Sequence, residues 1–253
     1  MRKTYLLHEI SWVDFKDYVK NHDLALLPTG STEQHGPHNP LGTDHLVAKA
    51  LAFEASKKMK VMCLPTIPFG ISSEHRHFPG TIFIQPDTFK KYIKDVCNSL
   101  FTYGIKKIII VNAHGGNITA LRTLSNELRA EEKSYCVIFQ WFEIVFSRLR
   151  DLFKKEEMDH AGGMESSLNL ALYPNLVVKD KVPPRSSDLV RREPGISLPW
   201  ETIYYTRSGV FGSSKDIDQA KGKIIFKVTV DELCKLIKRI QKIPWDKLVA
   251  GKW

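Results

Sequence analysis

Long apolar runs are missing from this chain. Stretches such as Ile108–Val111 end after four residues, whereas a spanning helix needs roughly 20. The N-terminus, MRKTYLLHEI, carries basic residues but no apolar core and no small-residue cleavage site, so no export signal is expected. Cysteine is sparse. Cys63, Cys97, Cys136 and Cys234 form no CxxC pair, which leaves them as buried or free thiols of a protein expected in a reducing cytoplasm. Several signatures are also absent: HExxH, a phosphate-binding P-loop, GxGxxG after a strand, and the HxE plus PCxxC pattern of zinc deaminases. Each absence removes one enzyme class.

The composition is 43% apolar and 26% charged, with 15 Gly and 13 Pro. This is ordinary globular usage and excludes a disordered, collagenous or disulfide-scaffold protein. The net charge of +9 is concentrated in residues 179–253, where 16 Lys+Arg face 9 Asp+Glu. No aromatic interleaving or nucleic-acid module accompanies that charge, so a solvated surface is expected rather than a nucleic-acid partner.

Apolar runs at 24–27, 61–64, 106–112 and 135–140 read as strands. Helical periodicity runs over 43–59, 87–103 and 118–132, with further helices expected at 160–172 and 216–241. The first strand is expected to stop at Pro28. Alternation of strands and helices with short connections predicts a three-layer α/β/α fold with a mostly parallel sheet. Residues 179–215, rich in Pro, Gly and Ser, read as a long irregular excursion. No linker or repeat divides the chain, so 1–253 is expected to be one domain.

Seven of the nine histidines fall in loops after expected strands or at the starts of the next helices: His35, His38, His45, His75, His77, His114 and His160. Ligands bind outside the carboxyl ends of strands in open α/β sheets. Imidazoles and carboxylates converging there are what a divalent transition-metal site requires. Glu33 and His35, two apart, point the same way in extended chain. Gly36, Pro37 and Pro40 argue against a helix there, and with it against a Ser31–Gln34 capping box. Asp44 either caps the next helix or joins Glu33 and His35 as a ligand, with two oxygens able to bridge two ions.

The NAHGGN run at 112–117 contains His-Gly-Gly, which in esterases forms an oxyanion loop and requires a GxSxG partner; no GxSxG exists here, and a serine hydrolase is excluded. Gly115 and Gly116 are therefore expected to line a pocket beside His114. In DHAGGMES the paired glycines place His160 on a loop and Glu165 in the first turn of a helix, where it is either a ligand or a surface carboxylate favoured by the helix dipole. His75 and His77 are expected to line the substrate pocket.

At these residues the chain resembles the creatininase (creatinine amidohydrolase) family. GSTEQHGPHNPLGTDHLVA, FGISSEHRHFPGT, NAHGGN and DHAGGMESSLNLALYP occur in family order across roughly residues 24–175. The resemblance implies hydrolysis of a C–N bond in a small cyclic amide or related amide by a metal-bridged hydroxide, with two divalent ions about 3.5–4 Å apart activating a shared water. The ions would be zinc first, with manganese or iron as alternatives. It assigns Glu33, Asp44 and His114 to one ion, His35 and the bridging Asp44 to the other, and His160 to catalysis. A homo-oligomer, commonly a hexamer, is also implied. The name-giving enzyme has a Tyr-Glu pair after the motif histidine, and that Glu is a ligand. Gly115 and Gly116 stand there instead, which makes Glu165 the replacement. That enzyme also closes its pocket with tryptophans from the segment before the catalytic histidine, and residues 142–160 contain none. Both departures point away from creatinine itself. The alternatives are a formamide deformylase of flavin or deazaflavin biosynthesis and a non-catalytic, nucleic-acid-binding member of the fold.

Overall fold

The computed structural model describes residues 4–132, 134–184, 195, 198–199 and 201–249. Four strands form one sheet: β1 (Leu24–Thr29), β2 (Met62–Cys63), β3 (Lys107–Asn112) and β4 (Tyr135–Gln140). All are parallel, in the order β2-β1-β3-β4. Successive side chains of a strand point to opposite faces, and here both faces are apolar. Leu24 and Leu26 of β1, with Ile109 and Val111 of β3, enter one core; Ala25, Leu27, Ile108 and Ile110 enter the other. A strand buried on both faces reads as a continuous apolar run, which is why these segments are legible in the sequence.

Helices cover each face. On the first lie α2 (Thr43–Met59), α5 (Trp141–Arg148), α6 (Gly163–Leu172) and α8 (Gln219–Gln241), packing Val47, Leu51, Val145, Leu168, Ile225 and Leu233 against the sheet. The second face takes α1 (Trp12–Val19), α3 (Pro86–Thr102) and α4 (Ile118–Ala130), through Tyr18, Phe89, Ile93, Leu121 and Leu124. Each such aliphatic or aromatic side chain contributes about 1.5–3 kcal/mol on full burial. The three-layer architecture matches the expectation from the sequence. Two short helices, α7 (Thr202–Tyr205) and α9 (Trp245–Val249), complete the set among the described residues.

Three expectations are corrected. β1 runs through Pro28 to Thr29 instead of stopping before it. Its partner on one side, β2, has already ended at Cys63, and the Pro28 carbonyl instead accepts from the Ile67 N–H at 3.0 Å. A proline, which has no N–H to give, is tolerated where a strand ladder has lapsed. Helices α1 and α5 add to those expected from periodicity; the first is marked by a capping box between Ser11 and Asp14, a signal visible in the sequence. The stretch 179–215 is irregular but includes α7, and its residues 185–194, 196, 197 and 200 lie outside the described residues.

The chain leaves β1 toward β2 on one side and returns through β3 on the other. The crevice between the carboxyl ends of β1 and β3 is thus the topological switch point, where open α/β sheets bind ligands.

Candidate metal centre

Four loops deliver polar side chains into that crevice. The segment after β1 supplies Glu33, Gln34 and His35 and leads into α2, whose first turn carries Asp44. The connection after β2 brings in His75, the turn after β3 brings His114, and the approach to α6 brings His160 and Glu165. Glu33, His35, Asp44, His75 and His114 are all buried.

Asp44 is the hub. Its Oδ1 lies 3.1 Å from His35 Nε2 and its Oδ2 lies 3.0 Å from His114 Nδ1. The Ser31 hydroxyl donates to the same Oδ2 at 2.7 Å. Glu33 turns Oε2 toward His114 Nε2 at 3.3 Å and Oε1 toward His75 Nε2 at 3.5 Å and His160 Nδ1 at 3.8 Å. Neither Glu33 oxygen has a hydrogen-bond partner, although both are buried. A buried carboxylate so placed is costly unless paired or coordinated. Glu165 Oε2 accepts from the Ala161 N–H at 2.7 Å and stands 3.9 Å from His35 Nε2. Three groups place one ligand atom from each member within 4.8 Å of the others: Glu33–His35–Asp44, His35–His160–Glu165, and Glu33–His75–His160. Sets of imidazoles and carboxylates this close suit zinc or manganese.

Electrostatics follow from this crowding. Burial raises Asp44, but His35 and His114 outweigh it and hold its carboxyl well below the ordinary range. Burial opposes charge on His35 and His114, yet Asp44 beside the first, and Glu33 with Asp44 beside the second, push each up to about 10. Desolvation lifts Glu33 and Glu165 to about 7, against the pull of His114 and His35 respectively. Burial and the neighbouring His75 and His35 drive His160 well below its usual value, and burial with His35 takes His75 to about 3. Groups with opposing shifts in one cleft are a physical signature of a functional site.

The expected residues divide as follows. Glu33, His35, Asp44, His114, His160 and Glu165 come together, as does His75. His77 does not join them: it is half-exposed and pairs with Glu201. Its spacing from His75 suits extended chain, but Ser73–His75 form a 3-10 turn, in which two residues span about 240° of rotation. Asn112 and Asn117 brace the His114 loop rather than the ring: Asn112 Nδ2 donates to the His114 carbonyl at 2.6 Å, and Asn117 Nδ2 to Asn112 Oδ1 at 3.1 Å. The imidazole is held instead by Asp44 and by the Ile71 carbonyl, 2.6 Å from Nε2.

Above the cluster opens a cavity of about 450 Å³ lined by Gly115, Gly116, Phe142, Phe146, Tyr205 and Phe211, with Glu74, His75, Asp159 and Thr202 at its polar positions. Gly116 admits no side chain, since a Cβ there would stand 2.1 Å from the Ile71 carbonyl. A ligand carboxylate at that position is therefore excluded sterically. At Gly115 a Cβ meets nothing within 4 Å, which leaves that wall of the pocket open. Thr202, Tyr205, Gly209 and Phe211 escaped sequence reasoning because 201–212 carries no motif; only folding brings it over the site. A larger groove of about 850 Å³ between α1 and α3, lined by Leu7, Trp12, Phe15, Leu100 and Tyr103, has no comparable cluster of titratable groups.

The chain as a whole is similar to known proteins. The family model for creatinine amidohydrolase matches residues 8–237. The creatinine amidohydrolase of Pseudomonas putida is 26% identical over 261 residues, covering 94% of this chain and 98% of that protein. The mycofactocin precursor peptide peptidase of Mycobacterium ulcerans (strain Agy99) is 30% identical over 224 residues, covering 85% and 84%. A solved structure named "Creatininase Mn" superposes with a TM-score of 0.84 at 24% identity, over 95% of this chain and 100% of that one. With a family match spanning nearly its whole length, the same parallel sheet, and a cluster of imidazoles and carboxylates at the sheet's switch point, the chain belongs to the creatininase family of amidohydrolases.

Proposed function

We propose that this chain hydrolyses the C–N bond of a small amide at a centre of two divalent ions, zinc first, with manganese or iron as alternatives. The observation that carries the proposal is Asp44, whose two oxygens face two different imidazoles, His35 and His114. One carboxylate shared in this way suits a pair of ions. The unpartnered Glu33 oxygens beside it fit a cation as well. Glu33, Asp44 and His114 would hold one ion; His35, Asp44 and Glu165 the other. Divalent ions held there would supply a water of lowered pKa and positive charge opposite the developing charge on the amide oxygen.

The chain's own side chains do the rest. His160 is neutral at physiological pH because burial and its histidine neighbours oppose its charge, so it is able to take a proton at Nδ1 and return it to the leaving nitrogen. The backbone around Gly115 leaves room for the substrate. Phe142, Phe146, Tyr205 and Phe211 provide apolar walls for its body. On this reading the chain is one domain and, as the family resemblance implies, a homo-oligomer; its four free cysteines fit a reducing cytoplasm.

The test is metal analysis coupled to hydrolysis of a panel of amides that includes creatinine and formanilide. The purified chain should hold close to two divalent ions, and Asp44→Ala should lose both together with activity. One ion or none after reconstitution with zinc or manganese would overturn the binuclear reading.

A further inference from the structure

Between the two candidate ligands of the β1 loop sits a side chain that is itself no ligand. Gln34 is buried, at 5% exposure. Its Oε1 accepts from the Gly36 N–H at 2.9 Å, which fixes the orientation of the amide. Nε2 therefore faces three neighbours: His75 Nδ1 at 2.8 Å, His160 Nε2 at 2.8 Å and the Gly209 carbonyl at 3.1 Å. An amide nitrogen has two hydrogens. His160 Nε2 also lies 3.0 Å from the backbone carbonyl of Gln34, a group that only accepts.

The acceptor within reach of each ring nitrogen decides between the two neutral forms of His160. With the proton on Nε2, His160 donates to the Gln34 carbonyl, and the amide serves His75 Nδ1 and Gly209. Three acceptors are then satisfied by three hydrogens, and the Thr202 hydroxyl, 3.0 Å from the same His75 Nδ1, is a further donor within its reach. With the proton on Nδ1 instead, its nearest acceptor is Glu33 Oε1 at 3.8 Å, beyond hydrogen-bond reach. The Nε2 lone pair would also oppose the Gln34 carbonyl. Buried polar groups are paired wherever geometry allows, so the first arrangement prevails. It leaves His160 Nδ1 unprotonated and turned toward Glu33. The same network makes His75 Nδ1 an acceptor and places its proton on Nε2, facing Glu33 Oε1.

We propose that Gln34 is a positioning residue: its backbone carbonyl holds His160 in the Nε2–H form, with Nδ1 presented to the reacting centre, and its side-chain amide donates to the neighbouring His75 Nδ1 and to the loop at Gly209. This rests on the reading of His160 as the proton carrier. The tautomer of an imidazole is set by what its other nitrogen meets, and here one residue supplies that partner and ties it to His75 and to the loop at Gly209.

Nitrogen-15 NMR of the metal-free protein, correlating ring nitrogens with carbon-bound ring hydrogens, reads the tautomer directly at neutral pH. His160 should show a protonated Nε2 and a bare Nδ1; the reverse pattern overturns the inference. In Gln34→Glu, which keeps the side chain's length but replaces the amide donors with acceptors, the His75 signal should move toward its Nδ1–H form, while His160, held by the backbone carbonyl, keeps the proton on Nε2. Zinc content should stay at the wild-type level, and kcat on whichever panel amide is hydrolysed should fall at least tenfold with little change in KM. A wild-type His75 signal and kcat in that variant would also overturn it, as would loss of zinc in step with activity, which marks a merely structural role. Full activity in His160→Ala with the expected tautomer in the wild type would instead overturn the reading of His160 and leave the Gln34 assignment standing.

Discussion

At the scale of single residues, the centre separates groups that hold charge from groups that carry protons. His160 shares the carboxylate Glu33 with the other imidazoles, yet burial and the neighbouring His75 and His35 hold it well below the usual imidazole range. Its change to alanine should lower turnover by about 10²–10⁴-fold, the usual worth of general acid–base help. Metal content, measured by atomic emission, should remain unchanged; loss of metal in that variant would make His160 a ligand. Glu165 is the residue on which the departure from the family's name-giving enzyme turns. Its carboxylate points into the cluster at 3.9 Å from His35, while the position that would replace it, Gly116, is closed by the Ile71 carbonyl. Glu165→Gln should therefore release one ion selectively, leaving the ion of Glu33 and His114 in place. A variant with full metal and full activity would refute this.

Whole elements matter through how closely they approach. Helices α6 and α8 pack so tightly that a Cβ at Gly222 would lie 1.9 Å from the Ser167 carbonyl. α6 begins just after His160 and carries Glu165 in its first turn, so displacing it moves part of the centre. Gly222→Ala is expected to cost about 1–3 kcal/mol as an overpacking change. At roughly 2–4 °C per kcal/mol for a chain of this size, calorimetry should show a clear fall in Tm. It should also weaken metal retention, whereas an alanine that leaves Tm unchanged would show that the two helices slide apart freely. The start of α2 makes the complementary contribution. It places Asp44 in the first turn, where the helix dipole favours a carboxylate.

The whole molecule gathers buried carboxylates and imidazoles from four loops, and bound cations should hold those loops together. Ligands that bind the folded state alone stabilise it by about 4 kcal/mol at a thousandfold excess over Kd. Chelation should accordingly lower Tm, and zinc or manganese should restore it. An identical Tm with and without chelator, in a protein shown to load metal, would contradict that coupling. Asp44→Ala should melt at the chelated value and not respond to added metal.

Much of this arrangement is legible in the sequence. The apolar runs at Leu24–Leu27 and Ile108–Val111 are long enough to be strands and too short to be helices, and their burial on both faces demands helices above and below. Parallel strands put their outgoing loops at one edge, so Glu33, His35, Asp44 and His114 are bound to meet there. What the sequence left undecided depends on through-space neighbours. Pro28 lies inside β1 because β2 ends early and asks no N–H of it. His75 and His77 look equivalent in the chain, and only the turn at Ser73–His75 sends one to the centre and the other to Glu201. Gln34 reads as a spacer between two ligands until His160 and Gly209, 126 and 175 residues away, close on its amide. Local pattern determines which face a side chain takes, whereas hydrogen bonds between distant segments exist only once the core has packed those segments together.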